Sequence, residues 1–298
     1  MLDQTEPTPL WLRILQFPPV RLVLLGLPLF LCLGLSNTFL DQYKTSPIMA
    51  MVAAAGMIAL AMWVYVGFAR FVERREPSDL ALSPGLKELG LGLLLGSGLY
   101  TAGVLVLIVL GFARIDGMNP VSIMIPAIAM ALSSGFLEEL LFRGALYRIV
   151  EEWLGSWASV LISSVVFGFV HLANPSATLT GAIFISIEAG LLLAATYMLT
   201  RRLWLGIGFH ISWNYTQSAV FGGIVSGGVF EPGLLKTVIT GPDLITGGNF
   251  GLEASLIPCM LATSTGVFLA VRAVRAGHVV QPFWSRAKHA PALQAASA

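Results

Sequence analysis

Two adjacent glutamates, Glu138 and Glu139, lie inside an apolar segment of the sequence, and Arg143 follows one helical turn later. A charged side chain at the centre of a membrane helix costs roughly 3 kcal/mol on insertion scales, so such residues usually serve binding or chemistry. Further polar residues recur along the chain in equally apolar surroundings. They are His171, Glu188, His210 and Asn214.

The spacing of these residues along a helix assigns their partners. Glu139 and Arg143 are four residues apart, so they share one helix face and are predicted to form an ion pair. Glu138 is rotated by about 100° from Glu139 and is left for the interior. Phe167 lies one turn before His171, where it can cover one side of the imidazole.

The residue types suit the activation of water. A carboxylate and a histidine on neighbouring helices can hold and deprotonate a water molecule, while a second histidine and an asparagine can donate to an oxyanion. Glu138, His171, His210 and Asn214 therefore suit amide hydrolysis. The same glutamate and two histidines could instead ligate a divalent metal such as zinc. The His-Glu-x-x-His and Gly-x-Ser-x-Gly motifs are both absent from the sequence.

The composition shows which elements must position these residues. The chain has 298 residues, 56% hydrophobic and 11% charged, whereas a soluble domain carries about 25% charged residues. Apolar runs of about 20 residues can cross a bilayer. The predicted spans are 22–40, 45–69, 89–113, 117–137 with a continuation to 150, 153–170, 179–200, 206–221 and 254–271. The sequence therefore predicts an all-α polytopic membrane bundle of about eight transmembrane helices.

Basic residues are distributed unevenly between the two sets of loops. Only Lys44, Arg114 and Lys236 fall in the loops on one side, which leaves 14 of the 17 basic residues on the other. Because cytoplasmic loops are enriched in Lys and Arg, we expect both termini in the cytoplasm of a bacterium and the chain in its inner membrane. Glu73–Asp79 is expected to be an exposed cytoplasmic connection.

The same pattern divides the chain into three parts. Residues 1–21 form a predicted cytoplasmic N-terminal segment, 22–272 the transmembrane domain and 273–298 an exposed cytoplasmic tail. Residues 222–253 are rich in glycine and read as a long external loop. The candidate site residues fall within a core at about 120–221.

Three motifs in this core resemble those of the CAAX-protease and bacteriocin-processing (CPBP) family of intramembrane endopeptidases, which includes the type II CAAX prenyl endopeptidase. The resemblance covers roughly Ile125 to Gln217, and the motifs occur in the family's order. They are Glu138-Glu139-x-x-x-Arg143, Phe167-x-x-x-His171 and His210-x-x-x-Asn214.

The resemblance implies a role for each matched residue. Glu138 would activate water with help from His171, and His210 and Asn214 would stabilise the oxyanion. Glu139 and Arg143 would support them. A metal-free glutamate mechanism without a cofactor is favoured, and a metalloprotease with zinc on Glu138, His171 and His210 is the alternative. Glu188 lies outside the motifs, and its role is open.

We therefore predict an intramembrane endopeptidase, with its site in the cytoplasmic half of the bilayer, that cuts membrane-associated peptides or proteins, lipidated CAAX-like ones included. Its partners would be these substrates and the lipid bilayer; a net charge of +1 gives no sign of nucleic-acid binding. Two other hypotheses remain. One is a transporter that couples protons through Glu138 and Glu188. The other is a non-catalytic membrane scaffold or immunity protein.

Overall fold

The computed structural model describes residues 9–286, so the predicted terminal segments lie partly outside the described residues, at 1–8 and 287–298. The described part is mainly helical. Its α-helices are α1 Leu10–Leu15, α2 Pro18–Gln42, α3 Pro47–Phe71, α4 Leu82–Val109, α5 Pro126–Glu139, α6 Arg148–Leu154, α7 Ser156–Val170, α8 Leu179–Ile185, α9 Leu191–Thr200, α10 Trp204–Tyr215, α11 Asp243–Thr246 and α12 Leu256–Arg275.

Three π-helical segments extend or join these helices. Leu140–Tyr147 joins α5 to α6, Ser186–Gly190 joins α8 to α9, and Thr216–Phe221 extends α10. Each begins within three residues of a polar residue singled out in the sequence, namely Glu138, Glu188 or Asn214. Widened π turns of this kind are common at functional sites.

Seven of the described helices are long and apolar enough to cross a membrane, which confirms the all-α polytopic bundle. These helices are Pro18–Gln42, Pro47–Phe71, Leu82–Val109, Val121–Leu154, Ser156–Ala173, Leu179–Thr200 and Leu256–Arg275. The remaining predicted span, 206–221, is also helical, as α10 and its π extension. It packs inside the bundle against α4 and α5, where polar residues such as His210 and Gln217 are shielded from lipid.

The long helices alternate in direction, which gives the bundle two distinct ends. At the first, the arginine end, Arg21 near the start of α2 pairs with Glu73, which follows α3. At the second, the loop end, β1 (Ala113–Met118) follows α4 and pairs antiparallel with β4 (Leu235–Ile239), which precedes α12. This alternation agrees with the predicted order of spans and loops.

The glycine-rich segment at the loop end contains short strands that the sequence did not predict. β2 (Gly223–Ile224) pairs antiparallel with β3 (Phe230–Glu231), and β4 pairs with a strand from another connection. Runs of two to six residues are too short to show the alternating pattern by which a strand is recognised.

The prediction that Glu73–Asp79 is exposed holds for Arg74, Glu76 and Ser78 and is wrong for the two acidic residues at its ends. The side chains of Glu73 and Asp79 are only 3% exposed; Arg148 donates to Glu73 at 2.8 Å and Arg75 to Asp79 at 3.1 Å. A carboxylate can leave water when it accepts several charge-assisted hydrogen bonds. The connection therefore belongs to an ion-pair network at the arginine end.

The chain after Gly277 was also expected to be exposed, and part of it instead packs on the bundle. The backbone N–H of Ser156 donates to the Val280 carbonyl at 3.0 Å, and the Val280 N–H donates to the Ser156 hydroxyl at 2.8 Å. Gly155 makes this approach possible, since it has a φ of +85° and a Cβ there would lie 2.9 Å from the Val280 oxygen.

Close helix contacts set the position of α10 within the bundle. A Cβ on Gly96 would lie 2.3 Å from the Phe209 carbonyl, and one on Gly92 would lie 2.3 Å from the Leu205 carbonyl. On the other side, a Cβ on Gly135 would lie 2.7 Å from the Ile211 backbone nitrogen. Small residues thus let α4 and α5 approach α10 at backbone distance, which brings His210 close to the glutamates.

Candidate active site

The predicted ion pair between Glu139 and Arg143 is present and buried. Arg143 Nη1 donates to Glu139 Oε1 at 2.9 Å, and neither side chain is more than 1% exposed. Arg143 also donates to the Gly190 carbonyl at 3.3 Å. Its guanidinium lies 4.4 Å from the centre of the Phe167 ring, which adds a cation–π contact.

The same oxygen of Glu139 also holds His210. The distance from His210 Nδ1 to Glu139 Oε1 is 3.1 Å. Because an ionised carboxylate only accepts, Nδ1 carries the proton of this bond, and Nε2 lies 3.8 Å from Glu138 Oε2. Gly206 leaves room for the arrangement, since a Cβ there would lie 2.9 Å from Glu139 Oε2.

His171 is oriented by the backbone of its own helix. Its Nδ1 lies 2.7 Å from the Phe167 carbonyl oxygen, which can only accept, so Nδ1 is the protonated nitrogen and Nε2 of the neutral ring carries a lone pair. The Phe167 ring lies edge-on to both imidazoles, at centroid distances of 5.0 Å to His171 and 5.9 Å to His210. Phe167 thus fixes two histidines rather than one.

Asn214 is held by Ser134, which the sequence analysis did not single out. Asn214 Nδ2 donates to the Ser134 hydroxyl at 2.9 Å, and the second N–H of the amide stays available for another acceptor. Ser134 lies one turn before Glu138 on α5, so one helix positions both the carboxylate and the amide. The i, i+4 spacing of Ser134 and Glu138 was the available signal.

The four principal predicted residues meet at one cavity. Glu138, His171, His210 and Asn214 all line a space of about 460 Å³, which we call the catalytic cavity. Glu138 Oε2 is buried at this surface and has no hydrogen-bond partner among the described residues. A buried polar atom without a partner is costly, and the Glu138 side chain as a whole is still 14% exposed, so the carboxylate can meet water or substrate through the rest of its surface.

One wall of the catalytic cavity comes from the glycine-rich segment, through Ser226 and its neighbours. Glu253, which sequence reasoning missed, holds this wall. Its Oε2 accepts from the Ser226 backbone N–H at 2.5 Å and from the Ser226 hydroxyl at 2.9 Å, and its Oε1 accepts from Trp213 Nε1 at 3.1 Å. Asn174 donates to the Ser226 carbonyl at 2.7 Å.

Glu188 does not line the catalytic cavity. Its side chain is fully buried, and neither carboxylate oxygen has a hydrogen-bond partner among the described residues. The structure therefore places Glu188 apart from the four residues that converge.

Two further spaces adjoin the catalytic cavity. One, of about 420 Å³, shares Met130, Ser218 and Glu231 with it and extends towards the loop end; we call it the mouth cavity. The other is an apolar groove of about 240 Å³ between α2 and α7, which shares Phe30, Phe142 and Val170 with the catalytic cavity.

The side chains proposed as alternative metal ligands do not form a preformed metal centre. Within residues 9–286, no three His, Cys, Asp or Glu side chains are grouped closely enough to hold an ion. The Nδ1 atoms of His171 and His210 are engaged by the Phe167 carbonyl and by Glu139, which leaves Nε2 of each ring as the nitrogen that could bind a metal.

Comparison with known families agrees with the motifs. Residues 120–216, which are 97 of the 298 residues, match the family model described as type II CAAX prenyl endopeptidase Rce1-like. The matched segment runs from before α5 through α10. It contains Glu138, His171, His210 and Asn214, so the predicted resemblance is confirmed. At the level of the family it indicates a CAAX-type protease of the membrane. No curated protein and no solved structure matches the chain.

Proposed function

We propose, from the premise that residues 120–216 are Rce1-like, that this chain is an intramembrane endopeptidase of the metal-free, glutamate type. It would hydrolyse peptide bonds of membrane-associated peptides or proteins, lipidated CAAX-like ones included. The observation that supports this most is the convergence of Glu138, His171, His210 and Asn214 on one buried cavity.

Glu138 is the general base in this proposal. A water bound at its carboxylate gives up a proton to that group, and the resulting hydroxide attacks the carbonyl carbon of the substrate. The lone pair on His171 Nε2 accepts the second hydrogen of the same water and orients it. When the C–N bond breaks, the proton held by Glu138 passes to the leaving amine.

Asn214 and His210 stabilise the negative charge that develops on the carbonyl oxygen. Asn214 offers the N–H that Ser134 does not use. His210 can donate from Nε2 only when both ring nitrogens are protonated, because its Nδ1 proton is already directed at Glu139. Removing one oxyanion donor typically lowers kcat by about 10²–10³.

The apolar groove supports a substrate with a hydrophobic part. Phe30, Phe142 and Val170 belong to both the groove and the catalytic cavity, so a lipid chain or an apolar side chain in the groove would lie next to the scissile bond. Lipid tails are as apolar as the groove, so the groove would serve to position such a chain next to the scissile bond.

We further propose that the chain lies in the inner membrane of a bacterium with both termini in the cytoplasm. The support is the position of the basic residues. Five arginines form ion pairs at the arginine end, namely Arg21, Arg75, Arg148, Arg201 and Arg202. Because cytoplasmic loops are enriched in Lys and Arg, this end would face the cytoplasm.

Glu138→Gln tests the proposed function. Glutamine keeps the shape of the side chain and loses its basicity, so we expect cleavage to be abolished while the protein accumulates in the membrane normally. Peptide termini are compared by mass spectrometry in membranes that contain wild type, Glu138→Gln or Glu76→Gln. Glu76 is exposed at the arginine end, so Glu76→Gln is the matched control and should cleave like wild type.

Each outcome of this comparison has a clear meaning. Termini that occur with wild type and Glu76→Gln but not with Glu138→Gln support the proposal. Termini that persist with Glu138→Gln contradict the role of Glu138. Identical termini in all three membranes and in membranes without the protein contradict proteolysis and favour the transporter or scaffold hypothesis.

A further inference from the structure

The catalytic cavity adjoins the mouth cavity on the side of the loop end. The two spaces have Met130, Ser218 and Glu231 in common. From there the mouth cavity extends to Asp41 and Lys44, which lie where α2 ends and α3 is about to begin. The mouth cavity therefore lies between the catalytic cavity and the surface of the loop end.

The rim of the mouth cavity is polar and charged. Lys44 pairs with Asp41 at 3.1 Å while both side chains remain more than 70% exposed. Glu231 is also exposed and lines both spaces. Charged groups at the rim are suited to water and to the polar backbone of a polypeptide, and they are poorly suited to lipid tails.

The arginine end, in contrast, is closed by buried ion pairs. Arg148 donates to Glu73 at 2.8 Å, and both side chains are nearly inaccessible. Arg201 pairs with Glu151 at 2.5 Å. An unfolded peptide that approached from this end would have to break charge pairs whose separation leaves buried charges unpaired.

The charge distribution along the sequence identifies the two sides of the membrane. Among the described residues, the loop end carries Lys44, Arg114 and Lys236, and the other 13 basic residues belong to the opposite end or to the interior. By the positive-inside rule, the loop end faces away from the cytoplasm. The open cavity and the basic residues are thus at opposite ends of the molecule.

We propose that the active site takes its substrates from the extracytoplasmic side of the membrane. The substrate class is the juxtamembrane segment of a membrane-anchored peptide or protein, whose apolar part lies in the groove between α2 and α7 and whose polar part leaves through the mouth cavity. This inference rests on the proposed function for its chemistry, but the direction of access rests on the cavities and the charges alone.

Thiol labelling tests the direction of access without any need for catalysis. The two native cysteines, Cys32 and Cys259, are buried and free and are replaced by alanine. Single cysteines are then introduced as Lys44→Cys and Glu231→Cys at the loop end, and as Lys87→Cys at the arginine end, where Lys87 is exposed. Spheroplasts and inside-out vesicles are treated with a membrane-impermeant maleimide.

We expect Lys44→Cys and Glu231→Cys to react in spheroplasts, and Lys87→Cys to react only in inside-out vesicles. The reverse pattern would overturn the extracytoplasmic direction, and it would do so even if cleavage by the protein had been demonstrated. If labelling were as expected but the wild-type protein showed no cleavage, the proposed function would be contradicted and the proposed direction of access would still hold.

A second measurement tests the route itself. Attaching a bulky impermeant maleimide to Lys44→Cys, which lines the mouth cavity and not the catalytic cavity, should in spheroplasts cause a loss of the cleavage products that the unlabelled variant generates. Attaching the same reagent to Lys87→Cys in inside-out vesicles is the matched control and should leave those products unchanged. Undiminished cleavage by fully labelled Lys44→Cys would show that substrates do not pass the mouth cavity.

Discussion

Glu139 Oε1 accepts hydrogen bonds from both Arg143, at 2.9 Å, and His210, at 3.1 Å. Arg143 in turn touches the ring of Phe167, which lies edge-on to both catalytic histidines. Single residues in this site therefore have more than one task. A side chain that neutralises a buried charge also sets the orientation of an imidazole.

Arg143→Ala should destabilise the protein as well as inactivate it. The substitution leaves Glu139 without its cationic partner in a fully buried position, and breaking a buried pair in this way costs about 3–5 kcal/mol. We expect a lower yield and a lower midpoint of thermal unfolding in detergent. Arg70→Ala is the control, because Arg70 and Glu76 are exposed and 3.6 Å apart, and such pairs contribute below about 1 kcal/mol. Equal midpoints for both variants would contradict the structural role of Arg143.

Local spacing accounts for what the sequence predicted correctly at this scale. The i, i+4 relation placed Glu139 against Arg143 and Phe167 against His171, and both contacts are present. Glu253 and Ser134 were missed because their contacts cross between helices or between a loop and the bundle. Glu253 lies at the end of an irregular segment, where no regular i, i+4 spacing indicates which residue its carboxylate contacts.

At the scale of elements, the position of α10 depends on glycines of the helices around it. Gly96 and Gly92 face α10 with no room for a side chain, whereas a Cβ on Gly98 of the same helix would have nothing within 4 Å. α10 carries His210 and Asn214, so the distance between α4 and α10 determines where these two predicted site residues lie.

Gly96→Ala should push α4 and α10 apart. A Cβ there would lie 2.3 Å from the Phe209 carbonyl oxygen, and overpacking of this kind typically costs about 1–3 kcal/mol. We expect a lower unfolding midpoint together with reduced cleavage. Gly98→Ala is the matched control and should be neutral or stabilising, since alanine favours helix over glycine by up to about 1 kcal/mol. If the two variants behaved alike, close α4–α10 packing would not be what positions the site.

The helices could be predicted because length and apolarity are local properties, and every predicted span corresponds to a helix. The π turns and the short strands could not be predicted from the sequence. Leu140–Tyr147 is as apolar as an ordinary α-helix, so nothing in its composition marks the widened turns. β1 and β4 pair across more than 100 residues of chain.

At the scale of the whole molecule, the arginine end is an ion-pair network that joins distant parts of the chain. Glu73 accepts from Arg21, Arg75 and Arg148, and thereby connects α2, the connection after α3, and α6. Burial disfavours the charged form of Glu73, but the charges of Arg148 and Arg21 outweigh this effect and lower its pKa from 4.5 to about 2.

The lowered pKa of Glu73 predicts a pH dependence of stability. A carboxylate with a depressed pKa stabilises the fold fully above pH 4.5, and this contribution, at most about 3 kcal/mol, is lost as the pH falls towards 2. Glu73→Gln should therefore unfold at a lower temperature than wild type at pH 7, and the difference should shrink below pH 4.5. Thermal unfolding in detergent at pH 7, 4 and 3 checks this. Glu76→Gln should show no such trend, and a difference for Glu73→Gln that did not vary with pH would contradict the assignment.

The catalytic cavity has one polar neighbour, with Asp41 and Lys44 at its rim, and one apolar neighbour, lined by residues such as Phe30 and Val170. Ser226 and Glu253 hold the wall between helices in place. If Glu138 acts as proposed, the two fragments of a cleaved substrate would therefore leave by different routes. The hydrophilic fragment would diffuse into water and the hydrophobic fragment would return laterally to the lipid, so the geometry would separate the products and disfavour their religation.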